Sequence, residues 1–264
     1  MSGKLPISLV VITYNEAKNL PRCLLEADFC AELIIVDSGS TDGTRDIARE
    51  FGARVVHRNW SGYRDQKAFG IELAAQPWIL TLDADEVITS QLRDDIEQTF
   101  AADPREDAFE INRRSFYSGK RINHSGWYPQ WRLLLFRKGK AYWSEKEPHE
   151  VLTFCGRTKG RLSGDLNHYT YESIRRHVEK NLDYATRWAT TMHNGRRRAT
   201  TLDLLFRGPW GFFRTYILQL GFLDGFYGLV IAAVTGYYTF VKYSMLKELN
   251  RRPAQDEKSD EKNG

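Results

Sequence analysis

The chain has 264 residues, 42% of them hydrophobic, which is enough for one large or two small domains with a real core. Its formal net charge is only +4, and lysine and arginine dominate no segment before the C-terminal third, which argues against a nucleic-acid-binding protein. The three cysteines are scattered and form no C-x-x-C pair, so the sequence indicates neither a disulfide framework nor a zinc knuckle.

Four apolar runs in the first 86 residues are typical of strands that are covered on both faces of a sheet. They are residues 7–13, 33–36, 54–57 and 78–82. Helical segments separate them, beginning near Glu16, after the turn at 38–44 and near residue 63. This alternation predicts right-handed strand–helix–strand units and a mostly parallel sheet, and so a fold of the α/β class.

Polar residues follow three of these strands, at 13–16, 37–40 and 83–86. In open parallel sheets, ligands bind beyond the carboxyl ends of the strands. We therefore expect these three clusters to meet at one edge of the sheet and to form a ligand site there.

The middle of the chain has a different pattern. A helix is expected from about Ser90, and short aromatic, strand-like runs over 108–156 predict an antiparallel extension of the sheet. An apolar stripe over 172–193 predicts a long amphipathic helix after it.

The C-terminal third contains a long apolar and aromatic segment. Asp224 is the only charged residue between Arg214 and Lys242, and basic residues flank the segment on both sides. Such flanks and aromatic ends are typical of membrane interfaces, although a buried helical hairpin is the alternative. Because four glycines interrupt the run, we favour interfacial or re-entrant helices over a true membrane span. The glycines are Gly221, Gly225, Gly228 and Gly236.

Asp83 and Asp85 form a D-x-D pattern directly after the apolar run at 78–82. If the chain stays extended, these two carboxylates point to the same face. Paired carboxylates suit a hard divalent cation, which could in turn bind the phosphates of a ligand. Short D-x-D patterns also occur in plain surface loops, so the position at a strand end is what favours a metal site.

Two further residues are candidates for contact with a nucleotide. Asp37 follows the second apolar run and could accept hydrogen bonds from a base or ribose, or cap the next helix. Lys67 could lie over a phosphate or be a solvated surface lysine. The chain has no G-x-G-x-x-G and no Walker A sequence, which disfavours NAD and ATP pockets of those types.

The motifs VVITYNEAKNLPRCL, ELIIVDSGSTDGT, QKAFGIELA and WILTLDADE together resemble a family 2 glycosyltransferase with the GT-A fold. The later motifs HSGWYPQWRLLLFRK, PHEVL, LSGDLNHYTYES and GFLDGFYGLVIAAVTGYYTFVKY resemble the lipopolysaccharide core glucosyltransferases that act on inner-core heptose. The resemblance covers about residues 5–245. Gln130 departs from it, because many relatives carry an acid after the WYP motif.

The resemblance implies a UDP-sugar donor, most simply UDP-glucose, and a divalent cation, Mg²⁺ or Mn²⁺. It implies that residues of the first strand end line the uridine pocket, that Asp37 contacts the nucleoside and that Lys67 faces the nucleotide. The pocket residues are Thr13, Tyr14, Asn15 and Glu16. Asp83 would contact ribose or metal, and Asp85 would bind the metal. From the residues themselves, His168 is a candidate to complete the metal or diphosphate site, with a structural histidine as the alternative, and Asp165 is a weaker candidate.

Family 2 enzymes invert the anomeric configuration, so the resemblance also implies one general base opposite the leaving diphosphate. We assign this role to Glu150 of the PHEVL motif; a structural salt bridge is the alternative. Glu145 and Glu147 are expected to be solvated, and His149 either orients the acceptor or is a packed structural histidine.

These expectations divide the chain into a GT-A domain at 1–194, a membrane-associating helical region at 195–250 and a disordered tail at 251–264. Within the first, 1–100 would bind the nucleotide sugar and 101–194 the acceptor. The expected acceptor is a heptose of lipid A–core, at the cytoplasmic face of the inner membrane, where the protein would be peripheral or re-entrant. Another lipid-linked acceptor such as polyprenyl phosphate, or a non-catalytic membrane scaffold, is the alternative.

Overall fold

The computed structural model describes residues 3–144 and 151–251 and divides into two compact units. The first consists of Met1–Asn123 and Trp127–Thr170, and the second of His124–Gly126 and Tyr171–Gly264. The sequence placed the helix before residue 194 in the first domain, whereas this division groups it with the C-terminal helices. The predicted tail lies outside the described residues, apart from Arg251.

The first unit begins with four strands in the order β3-β2-β1-β4, in which all neighbours are parallel. The strands are β1 (Leu5–Thr13), β2 (Cys30–Asp37), β3 (Arg54–His57) and β4 (Trp78–Asp83). The helices between them are α1 (Leu20–Leu24), α2 (Thr44–Glu50) and α3 (Tyr63–Leu73). Strand register places Thr13 opposite Asp37 and Ile12 opposite Asp83, so that the three polar strand ends are level with one another.

The apolar run of β1 is buried on both faces, as its lack of alternation predicted. Ile7, Leu9 and Val11 belong to one core cluster, and Val10 belongs to a second cluster together with Ile34. Helix α3 approaches the sheet closely because Gly70 has no side chain. A Cβ atom there would lie 2.4 Å from Cγ1 of Val10.

An antiparallel half extends this sheet, as predicted, to the full order β3-β2-β1-β4-β8-β6-β11-β5, with β7 paired to β6. Strand β8 is antiparallel to β4 and β6, and β5 is antiparallel to β11. A separate pair joins β9 and β10. The elements are β5 (Glu86–Ile88), α4 (Ser90–Ala101), β6 (Ala108–Tyr117), β7 (Lys120–Arg121), β8 (Trp131–Arg137), β9 (Ala141–Ser144), β10 (Val151–Phe154) and β11 (Lys159–Tyr171). The predicted α/β fold class is confirmed.

The second unit is helical. Its helices are α5 (Ile174–Asn194), α6 (Thr201–Phe213) and α7 (Phe226–Arg251). Between α6 and α7 the chain forms a corner, residues 214–225, made of a π-helical turn and a 3₁₀ turn. Helix α6 starts at a capping box in which Thr200 and Asp203 exchange hydrogen bonds. By length and composition α7 is the single described helix that could cross a membrane, and 33% of its most apolar stretch is buried within the protein.

Candidate active site

The loop after β2 is organised by Asp37, which is completely buried. Its Oδ2 accepts hydrogen bonds from the backbone N–H groups of Gly39 and Ser40, both at 3.0 Å. Its Oδ1 accepts from the hydroxyls of Thr13 and Ser40. Because these four donors use all the acceptor sites of a carboxylate, Asp37 orders the loop in this conformation. Direct contact with a nucleoside therefore stays a prediction.

The loop after β1 is joined to the loop after β2 through Asn15. Its backbone has a positive φ of 55°, a conformation that asparagine tolerates. The side-chain Oδ1 of Asn15 accepts a 2.8 Å hydrogen bond from the Thr41 backbone N–H, and the backbone N–H of Asn15 donates to the Ser40 hydroxyl. Tyr14 beside it is 59% exposed, so an aromatic surface is available to a ligand.

Glu16 ends this cluster. Its backbone N–H donates to the Thr44 hydroxyl at 2.8 Å, and its Oε2 accepts from Asn19 at 2.7 Å. Burial raises the pKa of Glu16, and the nearby Asp85 carboxylate adds to the increase, against the hydrogen bond from Asn19. Glu16 is thus electrostatically connected to the acids that follow β4.

The D-x-D segment differs from its extended prediction. Strand β4 ends at Asp83, and Ala84 and Asp85 form a turn before β5 begins at Glu86. The expectation that an extended chain points both carboxylates to one face is therefore wrong, since the chain turns between them. Each carboxylate instead has its own partner.

Asp83 is paired with Lys67 of α3, with 2.6 Å between Nζ and Oδ1. Burial alone would raise the pKa of the Asp83 carboxyl, but the Lys67 ammonium, together with His168 and Arg113, outweighs burial, so the pKa lies below its usual value. The Lys67 ammonium also lies 4.9 Å from the ring centre of Trp143, a cation–π distance. The sequence singled out Lys67 and Asp83 separately; their pairing and Trp143 were missed.

Asp85 faces His168 of β11, with 3.5 Å between Oδ2 and Nε2. The Thr170 hydroxyl lies 2.9 Å from the other ring nitrogen, Nδ1, and so holds the orientation of the ring. When Nδ1 carries the proton, Nε2 presents its lone pair towards Asp85, which is the form that binds metals. Two neighbouring ligands on one ion with bonds of about 2.1 Å lie about 3 Å apart, close to the observed separation.

The Asp85–His168 pair therefore fits a divalent cation that takes its remaining ligands from a bound molecule and water. Within residues 3–144 and 151–251, no three His, Cys, Asp or Glu side chains gather into a metal site of their own. Mg²⁺-type sites commonly use one or two carboxylates together with substrate phosphates. Asp83 is paired with Lys67, so Asp85 and His168 are the pair placed to hold an ion, and metal binding by Asp83 stays a prediction.

Glu86 is a buried acid of the 83–86 cluster to which the sequence analysis assigned no role of its own. Its Oε2 accepts a 2.9 Å hydrogen bond from the backbone N–H of Asp83, and its Oε1 lies 3.3 Å from Nη1 of Arg113. Burial and the neighbouring Asp83 raise the pKa of Glu86, although Arg113 acts in the opposite direction. Arg113 also donates to Gln130, which gives this departure from the family pattern a structural partner.

The weaker metal candidate, Asp165, lies on β11 but has other partners. Arg114 forms an ion pair with its carboxylate, and Asn112 donates a 2.6 Å hydrogen bond to it. It is 8% exposed, so its contacts within the described residues are structural. Glu145, Glu147, His149 and Glu150 lie outside the described residues, and the role of Glu150 as base stays a prediction.

The glycosyl transferase family 2 model matches residues 8–162 of the chain. The lipopolysaccharide core biosynthesis glycosyltransferase LpsC of Rhizobium meliloti is 30% identical over 97% of this chain and 98% of that protein. An uncharacterized glycosyltransferase of Rickettsia typhi is 28% identical over 92% of this chain and 87% of its own length. Among solved structures, residues 1–349 of S. aureus TarS are 15% identical with a TM-score of 0.47, covering 93% of this chain and 90% of that one.

The matched residues include all three strand ends and the ion pairs Lys67–Asp83 and Glu86–Arg113. The expected resemblance is confirmed by the family model and by the near full-length match to LpsC. The chain belongs to glycosyl transferase family 2 and is a glycosyltransferase.

Proposed function

We propose that this glycosyltransferase moves a hexose, which we take to be glucose, from a UDP-sugar to a heptose of the lipopolysaccharide inner core. The transfer would invert the anomeric configuration of the sugar. The supporting observation is the polar edge where Asp85 and His168 face each other beside the Lys67–Asp83 pair. The acceptor class is supported by the similarity to LpsC, a protein named for lipopolysaccharide core biosynthesis, over 97% of the chain.

The donor would bind along the ends of β1, β2 and β4. Tyr14 and the Asn15 loop would contact uridine, and Lys67 would exchange part of its contact with Asp83 for a phosphate oxygen. Asp85 and His168 would hold Mg²⁺ or Mn²⁺, and the bound ion would neutralise charge on the diphosphate. A nitrogen ligand favours Mn²⁺ over Mg²⁺, because Mg²⁺ prefers oxygen ligands.

The transfer would be a single displacement. Glu150 would take the proton from the acceptor hydroxyl as its oxygen bonds to the anomeric carbon and the bond to UDP breaks. The negative charge released on UDP would be balanced by Lys67 and by the divalent cation that Asp85 and His168 would hold. Attack from the face opposite UDP gives the inverted configuration.

The acceptor would be embedded in the cytoplasmic face of the inner membrane through its lipid. Large apolar side chains of the second unit are exposed, among them Leu205 at 61% and Phe206 at 66%. This feature favours action at a membrane surface. It fits other lipid-linked acceptors as well, so transfer to a polyprenyl phosphate is the second candidate.

The donor site is tested by calorimetry of UDP binding with and without Mn²⁺. We expect Mn²⁺ to tighten UDP binding in the wild type, and Asp85→Asn to remove the Mn²⁺ effect, because the amide is a weaker metal ligand. Asp46→Asn is the matched control, since Asp46 is 79% exposed on α2. Equal Mn²⁺ dependence in Asp85→Asn would contradict the metal assignment.

The acceptor is tested by transfer of labelled glucose from UDP-glucose. Core oligosaccharide–lipid A that ends in heptose should become labelled, whereas lipid A lacking heptose should not. Labelling of polyprenyl phosphate instead would support the second candidate.

A further inference from the structure

Helix α6 exposes one apolar face. At 100° per residue, its exposed apolar side chains fall within an arc of about 140°. They are Leu202, Leu205, Phe206, Pro209, Trp210 and Phe213. The opposite side carries Gly208 and Gly211, which contact α7. A surface helix of a soluble protein normally turns its apolar side toward the core, whereas the apolar side of α6 faces away from the protein.

Helix α7 carries a matching stripe. Its exposed residues recur at intervals of three and four and cover an arc of about 80° over about 21 Å of helix. They are Phe226, Leu229, Ala233, Tyr237 and Phe240. The stripe has no charged member.

The arc of α6 and the stripe of α7 lie on the same side of the helix pair. A groove between the helices is lined by Pro209 from the arc and by Ala233, Tyr237 and Phe240 from the stripe. The two helices approach closely at their glycines, where a Cβ on Gly236 would lie 3.0 Å from the Gly208 carbonyl oxygen. Together the eleven residues form one apolar surface, which we call the apolar plate.

The other side of α7 is covered by protein. Trp188 of α5 packs against Tyr243, with 4.9 Å between ring centres, and Thr186 contacts Met245. Helix α5 is itself rich in charged side chains, such as Arg175, whose side chain is 88% exposed. A spanning helix meets lipid around most of its circumference, whereas α7 offers lipid one side.

The corner argues against a hairpin that dips into the bilayer. Asp224 is 3% exposed, and its carboxylate accepts hydrogen bonds from the His124 backbone N–H and the Ser125 hydroxyl, at 3.0 and 2.9 Å. Arg214 lies exposed in the same corner. Insertion of this end into hydrocarbon would bury the exposed Arg214 guanidinium, which is costly.

Charge around the plate fits an anionic surface. Residues 195–251 contain eight basic and three acidic residues, and none of them lies on the plate. Arg196, Arg197 and Arg198 are exposed just before α6. An apolar face of leucine and aromatic residues with arginine and lysine at its margins is the pattern of helices that lie in the membrane interface.

We propose that the α6–α7 pair lies flat in one leaflet, with the apolar plate among the acyl chains and the basic margin on anionic phospholipid headgroups, and that α7 does not span the bilayer. This deepens the proposed action on a lipid-linked acceptor. It rests on the second unit alone, so its test does not depend on the sugar donor or on catalysis.

Vesicle co-sedimentation tests the plate. The variant Leu205→Glu/Phe240→Glu places one charge on each helix and should weaken binding to phosphatidylglycerol-containing vesicles by at least about tenfold. Leu25→Glu is the matched control, because Leu25 is 65% exposed and lies outside the plate. It should bind as the wild type does. Unchanged binding of the double variant would overturn the proposal, with circular dichroism and cooperative thermal unfolding verifying that each variant is folded.

Position in the bilayer is tested with single-cysteine variants labelled with an environment-sensitive fluorophore. Cys155→Ala is the background, because Cys155 is the one exposed cysteine in the described residues. When vesicles are added, the fluorescence emission of labels at Phe206→Cys and Tyr237→Cys should shift to shorter wavelength. Lipids brominated near the headgroup should quench this emission. A label at Arg175→Cys should show neither change. Stronger quenching by lipids brominated near the bilayer centre than by lipids brominated near the headgroup would indicate a span and overturn the proposal. Resistance of the protein to alkaline extraction from membranes would do the same. A blue shift without vesicles, together with dimer formation, would show that a second copy covers the plate and would overturn it too.

Discussion

The ion pair between Lys67 and Asp83 provides a test of how this site is held together. Replacing Lys67 by methionine keeps most of the apolar stem and removes the ammonium that lies 2.6 Å from Oδ1 of Asp83. The partly exposed Asp83 carboxylate then loses its counter-charge, and Trp143 loses its cation–π contact. We expect a loss of stability and weaker binding of UDP.

The magnitude follows from distance and exposure. Two unit charges 2.6 Å apart attract by about 6 kcal/mol at an effective dielectric constant of about 20, which is an upper bound because desolvation opposes it. Breaking a buried pair costs about 3–5 kcal/mol, and surface pairs contribute about 0–1 kcal/mol. With side-chain exposures of 18% for Lys67 and 38% for Asp83, the pair lies between these limits, so we expect about 2 kcal/mol. This corresponds to a fall in Tm of about 4–8 °C.

The loss should depend on pH. In the wild type the pKa of Asp83 is lowered, so its stabilising contribution is present above the ordinary value of 3.8 and is lost as pH falls through the lower folded-state value. Without Lys67, the pKa of Asp83 should rise, because only His168 and Arg113 then oppose burial, and protonation relieves the unpaired charge as pH falls. The difference in unfolding free energy between the two proteins should therefore be largest at pH 7 and smaller at pH 4.

The assay is urea unfolding at both pH values, with UDP calorimetry at pH 7. Lys159→Met is the matched control, because Lys159 also lies 2.6 Å from its partner, Glu110, but is 49% exposed. Arg161 would still pair with that carboxylate. The control should lose less than about 1 kcal/mol. Equal losses in the two variants, or a Lys67→Met loss that is the same at both pH values, would refute the reasoning.

Two further predictions concern the elements that carry the site. Gly164→Ala should destabilise the fold by about 1–3 kcal/mol, since its Cβ would lie 2.3 Å from the Leu92 backbone Cα. The control Gly43→Ala should cost less than about 1 kcal/mol, because its Cβ would lie 3.8 Å from its nearest neighbour. Thermal unfolding measures both losses. Arg113→Met should cost about 3–5 kcal/mol at pH 7 because Glu86 is left buried without its counter-charge. Since the pKa of Glu86 is already raised, the cost of Arg113→Met should grow as pH rises above 4.5. Adding Glu86→Gln to the variant should restore its stability in urea unfolding. An equal cost of Arg113→Met at pH 5 and pH 7 would contradict this prediction.

Local pattern was sufficient for the parallel half of the fold. The apolar runs that became β1 to β4 do not alternate, because both faces of that sheet are covered, and this is visible in the residues themselves. The antiparallel half was predicted in kind, but its order was not. Strand β5 follows β4 in sequence but pairs with β11, and such long-range pairing depends on which apolar faces pack together.

The site shows the same division. That Asp37, Asp83 and Asp85 lie at strand ends follows from the sequence and from the geometry of parallel sheets. That the chain turns at Asp85 and directs it to His168 does not, because the turn depends on β5 pairing with a strand about 80 residues further on. Glu86 was placed in the 83–86 cluster, but its pairing with Arg113 was not predicted, because the antiparallel half supplies that arginine.

The sequence by itself determined the family, the fold class and the presence of an apolar, basic-flanked C-terminal segment, because each of these resides in local composition and motif. Only the tertiary structure decided that Asp83 pairs with Lys67 and that the apolar sides of α6 and α7 form one exposed face. The reason is physical: local sequence sets which residues prefer burial or charge, but which surfaces are covered depends on the packing of elements distant in the chain.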